Sequence, residues 1–186
     1  NSVANVTFDE KRMIVILAYE ERGGAEAEKT AFGLEKQFKD KFAYFELAKH
    51  PKDIPGEVIG KGGNITNAGR ALQKLVEREK IPVENVIVTT LDSDNKPHAC
   101  YFDQVAYEFM VREDRQNLAY QPVSLFTNNI WDAPAVTRVV ATTNSFWNLI
   151  CTMRPHMLRN FASHSQPLKP LIGMNFWSTR TIVEDG

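Results

Sequence analysis

The sequence holds 186 residues, with 22 Lys and Arg against 23 Asp and Glu for a formal net charge of −1, and 43% of its residues are hydrophobic. That length fits one domain with a real core, and the composition excludes a disordered or low-complexity chain. The near-neutral, evenly spread charge lacks the basic footprint of a nucleic-acid backbone binder, two cysteines, Cys100 and Cys151, are too few for a disulfide scaffold, and no stretch reaches the ~18–20 apolar residues of a membrane span.

In chain order, "NSVANVTFDEKR" has no signal-peptide layout. "MIVILAY", Met13 to Tyr19, is a continuous apolar run ending in "EERGG", as expected of a strand buried on both faces of a parallel sheet. Ala27, Ala31, Leu34 and Phe38 then recur at helical spacing. "KFAYFELA", Lys41 to Ala48, predicts a second strand, and "HPKDIPGE" a proline-rich connection. From Asn64, the residues Ile65, Ala68, Leu72, Leu75 and Val76 mark one face of a second helix. Val86 to Thr90 predicts a third strand, running into the acidic "LDSD". The order β-α-β-α-β predicts an α/β domain with a mainly parallel sheet flanked by helices. "PHACYFDQVAYEFMVRE" and "PAVTRVVATTNSFWNLICTM" read as two further helices. "MRPHMLRNFASHSQP", with His156 and His164, reads as a polar loop. No linker divides the chain, so residues 1–186 are expected to form one domain. The abrupt end, "FWSTRTIVEDG", reads as the edge of a piece cut from a longer protein.

The chemistry concentrates in "GKGG", Gly60 to Gly63. As a GxxG loop it resembles the backbone clamp of a KH RNA-binding module, but Thr66 stands where that pattern expects an aliphatic residue. As a phosphate-binding P-loop it fails twice, because only three residues separate Gly56 from Gly60 and Gly62 follows the lysine where Ser or Thr belongs. A dinucleotide fingerprint started at Gly60 fails at Ile65. The third reading is a nucleoside diphosphate-sugar site. Asp92 and Asp94 lie just beyond a buried strand, where open α/β sheets bind ligands. Two carboxylates one residue apart suit a hard divalent cation, Mg2+ or Mn2+, that keeps positions open for phosphate oxygens.

Four segments in this order resemble glycosyltransferase family 2: "AYEE" at the end of the first strand, "GKGGNITNAG", the D-x-D-like "LDSD", and "VEDG" at residues 183–186. The resemblance implies a GT-A (Rossmann-like) fold and a metal-dependent inverting transfer of sugar from a nucleoside-diphosphate donor, most plainly a UDP-sugar, to an acceptor hydroxyl on a glycan or lipid-linked acceptor. It implies that Tyr19 and Glu21 contact base and ribose, and that Lys61 and Asn67 line the diphosphate side. Asp92 would contact ribose or sugar, Asp94 would ligate the metal, and Asp185, beside Glu184, would be the general base. It also implies no nucleic-acid partner, and a position on the cytoplasmic face of a membrane, held by spans outside this sequence. The chain departs from the family pattern in having Leu17 and Glu20 in the first-strand motif, and in lacking the acidic pair after the second strand, where Asp53 is the nearest candidate. A non-catalytic nucleotide-sugar-binding domain and a KH-like module are the alternatives.

Overall fold

The computed structural model describes residues 2–127, 130–154 and 163–180. Strand β1 (Ile14–Glu20) and strand β2 (Tyr44–His50) pair in parallel, in a register running from Ile14 opposite Tyr44 to Glu20 opposite His50. A parallel pair needs a crossover, and helix α1 (Gly24–Phe38) supplies it. The turn into that helix passes through Gly24 at φ +65°, a left-handed conformation natural to glycine. Helix α2 (Lys61–Arg78) follows β2.

Alternation along the strands sorts their side chains between the two helices. Ile14, Ile16 and Tyr44 pack toward the cluster built on α2, and Glu46 pairs with Arg78 of that helix. On the opposite parity, Lys49 pairs with Glu28 of α1, and Phe45 stacks on Phe42, which meets Phe38 at the end of α1. The apolar run of β1 was expected to be buried on both faces; all seven of its residues are half-buried, and Leu17 and Tyr19 line an open cleft on the α1 side.

The sheet is smaller than expected, and this corrects the sequence reading. Strand β3 (Ile87–Thr89) does not extend the parallel pair; it pairs antiparallel with β4 (Ser165–Pro167). Thr90 N–H to His164 O (3.0 Å) and Leu168 N–H to Val86 O (2.9 Å) continue this second ladder at both ends. The structure is thus mixed α/β with two two-stranded sheets among the described residues. Val86 and Val88 still pack on the same core as Ile14 and Ile16, so one apolar cluster serves both sheets. Strand β2 starts three residues later than predicted, because Lys41 closes a turn on Phe38 O, and it continues to His50 in step with β1.

The core centres on Leu72, Leu75 and Val76 of α2 and Leu168 and Leu171 of helix α5 (Leu168–Gly173), with Phe176 beside them. Leu75, Val76 and Leu168 are fully buried. Helix α3 (Tyr101–Val111) buries Val105 and Phe109. Helix α4 spans Ala135–Thr152.

Gly69 of α2 lies under the Phe176 ring; a Cβ there would come within 2.6 Å of Cδ1 and 2.8 Å of Cε1. Gly33, on the exposed side of α1, has open space around it. Gly69→Ala is therefore expected to destabilise the fold by about 1–3 kcal/mol, and Gly33→Ala to stabilise it by roughly 0.4–1 kcal/mol. Urea denaturation of the two variants measures both, and equal effects would rule out the close contact at Gly69.

Candidate functional site

The "GKGG" segment is not a loop. Gly60 is the extended N-cap of α2, and Lys61, Gly62 and Gly63 form its first turn, with both glycines buried. Both the KH clamp and the P-loop need these glycines in a loop that wraps phosphates; here they let a helix pack closely. A Cβ on Gly63 would meet Glu57 Oε2 at 2.9 Å and His50 Cε1 at 3.0 Å.

From the first turn of α2, the Lys61 ammonium reaches Asp92, with Nζ 2.7 Å from Oδ1. The sequence placed these residues at the ends of different elements, and the fold brings them into one ion pair. Asp92 opens a turn closed by Asn95 N–H on its carbonyl (3.0 Å), which carries Ser93 and the exposed Asp94. Lys61, Asp92 and Asp94 therefore concentrate charge at one place.

Tyr19 stands at the end of β1 and lines an open, mainly apolar cleft of about 460 Å³ with Leu17, Ala27, Ala31, Leu34 and Ser93. That volume is within the ordinary range for small-molecule sites. Ser93, between the two aspartates, forms part of its wall, so the cleft links the first strand to the acidic turn.

Glu21 and Asn67 meet at Lys49, a residue the sequence reading did not single out. Asn67 donates from Nδ2 to the Lys49 carbonyl at 3.1 Å, which fastens α2 to the end of β2. Glu21 Oε2 accepts the Lys52 backbone N–H at 3.1 Å, and its Oε1 lies 3.8 Å from Lys49 Nζ. The Lys52 N–H, helped by the charges of Lys49 and Lys52, holds the Glu21 carboxyl below its ordinary value of 4.5. Lys49 in turn is held above its ordinary value, first by its hydrogen bond to Glu28. The β1–β2 register sets Tyr19 opposite Lys49 and Glu20 opposite His50.

Beyond the same strand ends lies a small polar pocket lined by Glu20, Arg22, His50, Asp53 and Glu57. His50 Nε2 is 3.0 Å from Glu57 Oε2, and both side chains are mostly buried. Asp53, at φ 58°, pairs with Arg22 at 3.2 Å. This pocket holds the only acidic candidate the sequence offered after the second strand, together with a histidine–glutamate pair the sequence reading missed. The available signal was strand parity, which puts His50 at the carboxyl end of β2 beside Glu20.

Glu184 and Asp185 lie outside the described residues, as does His156. His164 is buried under the β3–β4 ladder. Trp177 packs against the core, and its backbone N–H and carbonyl both bond the Thr66 hydroxyl. Cys151 is buried and Cys100 is exposed, with Sγ 3.1 Å from His98 Nδ1.

Among the described residues no three His, Cys, Asp or Glu side chains cluster as metal ligands. A divalent ion bound largely through phosphate oxygens and water needs only one or two carboxylates, and Asp92 and Asp94 supply hard oxygen donors of that kind. The donor set therefore fits Mg2+ or Mn2+. Also among the described residues, no helix is long and apolar enough to cross a membrane. Comparison of the chain with family models, curated proteins and solved structures finds no match.

Because the Glu21 carboxyl is lowered in the folded protein, the stability it contributes is fully present above its unfolded value and is lost as pH falls through the folded one. The stability difference between the native chain and Glu21→Gln is expected to be constant near neutrality and to shrink below pH 4.5. Thermal denaturation at a series of pH values tests this; a difference that grows on acidification would contradict the Lys52 contact.

Proposed function

We propose that this chain is a GT-A-type glycosyltransferase domain that binds a nucleoside diphosphate-sugar, most plainly a UDP-sugar, and passes the sugar to an acceptor hydroxyl with inversion. The observation that carries this reading is the meeting of Lys61 and Asp92 beside a cleft that Tyr19 and Ser93 both line. A lysine on the first turn of a helix adds its charge to the positive end of the helix dipole, and that combination favours a diphosphate. Tyr19 offers a flat ring with a polar tip at the cleft wall, suited to a base and ribose. Glu21, ionised at neutral pH, and Asn67 border the same strand ends.

Asp94 would hold the divalent ion, Mg2+ or Mn2+, whose chemistry is to neutralise charge on a departing diphosphate, and Asp92 would contact the ribose or the sugar. Lys61 adds a fixed positive charge for the same purpose. The acceptor hydroxyl needs a positioned carboxylate to take its proton, and Asp185, next to Glu184, is the residue we assign that role. The acceptor is a glycan or a lipid-linked sugar, and the domain works on the cytoplasmic face of a membrane.

Calorimetric titration of the chain with UDP, with and without Mn2+, tests the donor site. Metal-dependent binding is expected, weakened at least about tenfold by Asp94→Ala and by Lys61→Ala, each loss corresponding to about 1.4 kcal/mol. Binding that ignores both metal and Asp94 would reject the metal assignment. No binding to the intact chain would reject the UDP-sugar reading.

A further inference from the structure

Helix α4 is mounted with its apolar side outward. Its polar side meets the protein: Asn148 is buried and donates from Nδ2 to Ser124 O at 3.4 Å, and Ser145 Oγ accepts the Phe126 backbone N–H at 3.0 Å. Cys151 completes that inner side. At about 100° per residue, Val136, Val139, Phe146, Trp147, Leu149 and Met153 fall on the other half of the helix, and each is between 52% and 82% exposed. Trp131, just ahead of the helix, is 83% exposed, and Leu125 is exposed nearby. Contiguous apolar surface of this kind marks a contact site. Core-facing helices show the reverse orientation.

Charge identifies what covers this surface. Helix α4 itself contains no Asp or Glu, and its one charged residue is Arg138; Arg154 follows its end and Asp132 precedes it. Arg138 lies in the first turns of α4 and Arg154 just past its end, so cations bracket the apolar stretch. The Arg138 guanidinium lies over the Trp131 ring, 6.0 Å from its centroid. Apolar residues, tryptophans and flanking arginines, with Asp132 beside Trp131 as the adjoining carboxylate, match the interface of an anionic bilayer. There the acyl boundary takes the apolar side, indole rings sit at headgroup depth, and arginines reach lipid phosphates. A second copy of the chain fits less well, because an isologous contact presents the same net cationic face, Arg138 and Arg154 against Asp132, to itself.

We propose that α4, with Leu125, Phe126 and Trp131, lies in the headgroup region of an anionic lipid bilayer while its polar side stays against the protein. This contact is made by the chain's own folded surface and does not depend on nucleotide binding.

The test is flotation of the full chain with vesicles of phosphatidylcholine alone and of phosphatidylcholine with one quarter phosphatidylglycerol. Tryptophan quenching by brominated lipid is read on the same samples. The chain is expected to float with the anionic vesicles at low salt and far less with the neutral ones, with its fluorescence quenched by bromine. Phe146→Ser/Trp147→Ser is expected to lower the partition coefficient at least tenfold, and Arg138→Gln/Arg154→Gln to reduce the preference for anionic lipid, both with an unchanged circular dichroism spectrum. Absence of flotation and quenching with the unaltered chain would overturn the proposal, without needing any variant. Flotation undiminished in the Phe146/Trp147 variant would also overturn it, by placing the contact elsewhere. Concentration-dependent dimerisation in sedimentation velocity, abolished by that variant and accompanied by no vesicle binding, would assign the surface to a second copy and overturn it as well.

Discussion

The close approach of α2 to the β1–β2 pair is the constraint on which the rest of the structure depends. Gly62, Gly63, Thr66 and Gly69 form the buried side of the first half of that helix. At Gly63 and Gly69 a side chain would collide with His50 and Glu57, or with Phe176. Glycine in a helix costs roughly 1 kcal/mol relative to alanine, so three of them weaken α2 locally. Leu72, Leu75 and Val76 in its second half offset this, since burying each such side chain stabilises by about 1.5–3 kcal/mol. The helix is thus anchored by its apolar end and slides its glycine end against the strand tips. That placement brings Lys61 to Asp92 and Asn67 to the Lys49 carbonyl.

This arrangement changes the meaning of the glycines. Read as letters, "GKGG" resembles loops whose freed N–H groups wrap phosphates. In the fold, Gly62 and Gly63 are helical and buried, and the freedom they contribute is absence of bulk rather than unusual dihedrals. Positive φ occurs elsewhere, at Asp53 and Gly56, in the connection after β2. There the chain reverses to bring Glu57 back onto His50. The conformational irregularity and the packing requirement fall on neighbouring but distinct segments, and only the second coincides with the motif.

The elements legible in the sequence are those with a long, consistent period. β1 is a run of apolar residues, and α1 and α2 carry helical stripes, with Ala31, Leu72, Leu75 and Val76 buried as their spacing required; Ile65 and Ala68 of the predicted α2 stripe are only half-buried, because Thr66 and the glycines take the inner side there. Strand β4 and helix α5 were not legible. "SQPLKPLIG" is short and carries two prolines, so no period could emerge from it, yet Leu168 and Leu171 complete the core. The partner of β3 was hidden for the same reason, because antiparallel pairing with Ser165–Pro167 is decided by contacts between residues 76 to 80 positions apart rather than by local pattern. For α4 the helix was legible but its orientation was not, since helical character does not reveal which side meets the protein. Among the candidate residues, Lys61 was singled out from its glycine-rich segment and Asp92 from its position beyond a strand. Lys49, His50 and Glu57 were missed because strand register and a backbone reversal bring them together.

The Lys61–Asp92 pair also bears on how a donor would enter the proposed site. At 2.7 Å the two charges neutralise each other, and their side chains remain 27% and 42% exposed. The Lys61 Nζ itself is shielded from solvent, and the Asp92 carboxylate is the more open member of the pair. The lysine is therefore held in position by this contact. A diphosphate offers more negative charge than one carboxylate and can take over the ammonium, and Asp92 is then released toward a ribose hydroxyl or a divalent ion. In this exchange Asp92 keeps the long, flexible Lys61 side chain from being dispersed in solvent before the ligand arrives, so that less ordering entropy is lost on binding. A stronger, fully buried pair would obstruct the ligand, and no pair at all would leave the lysine disordered. The partial exposure seen here lies between those limits.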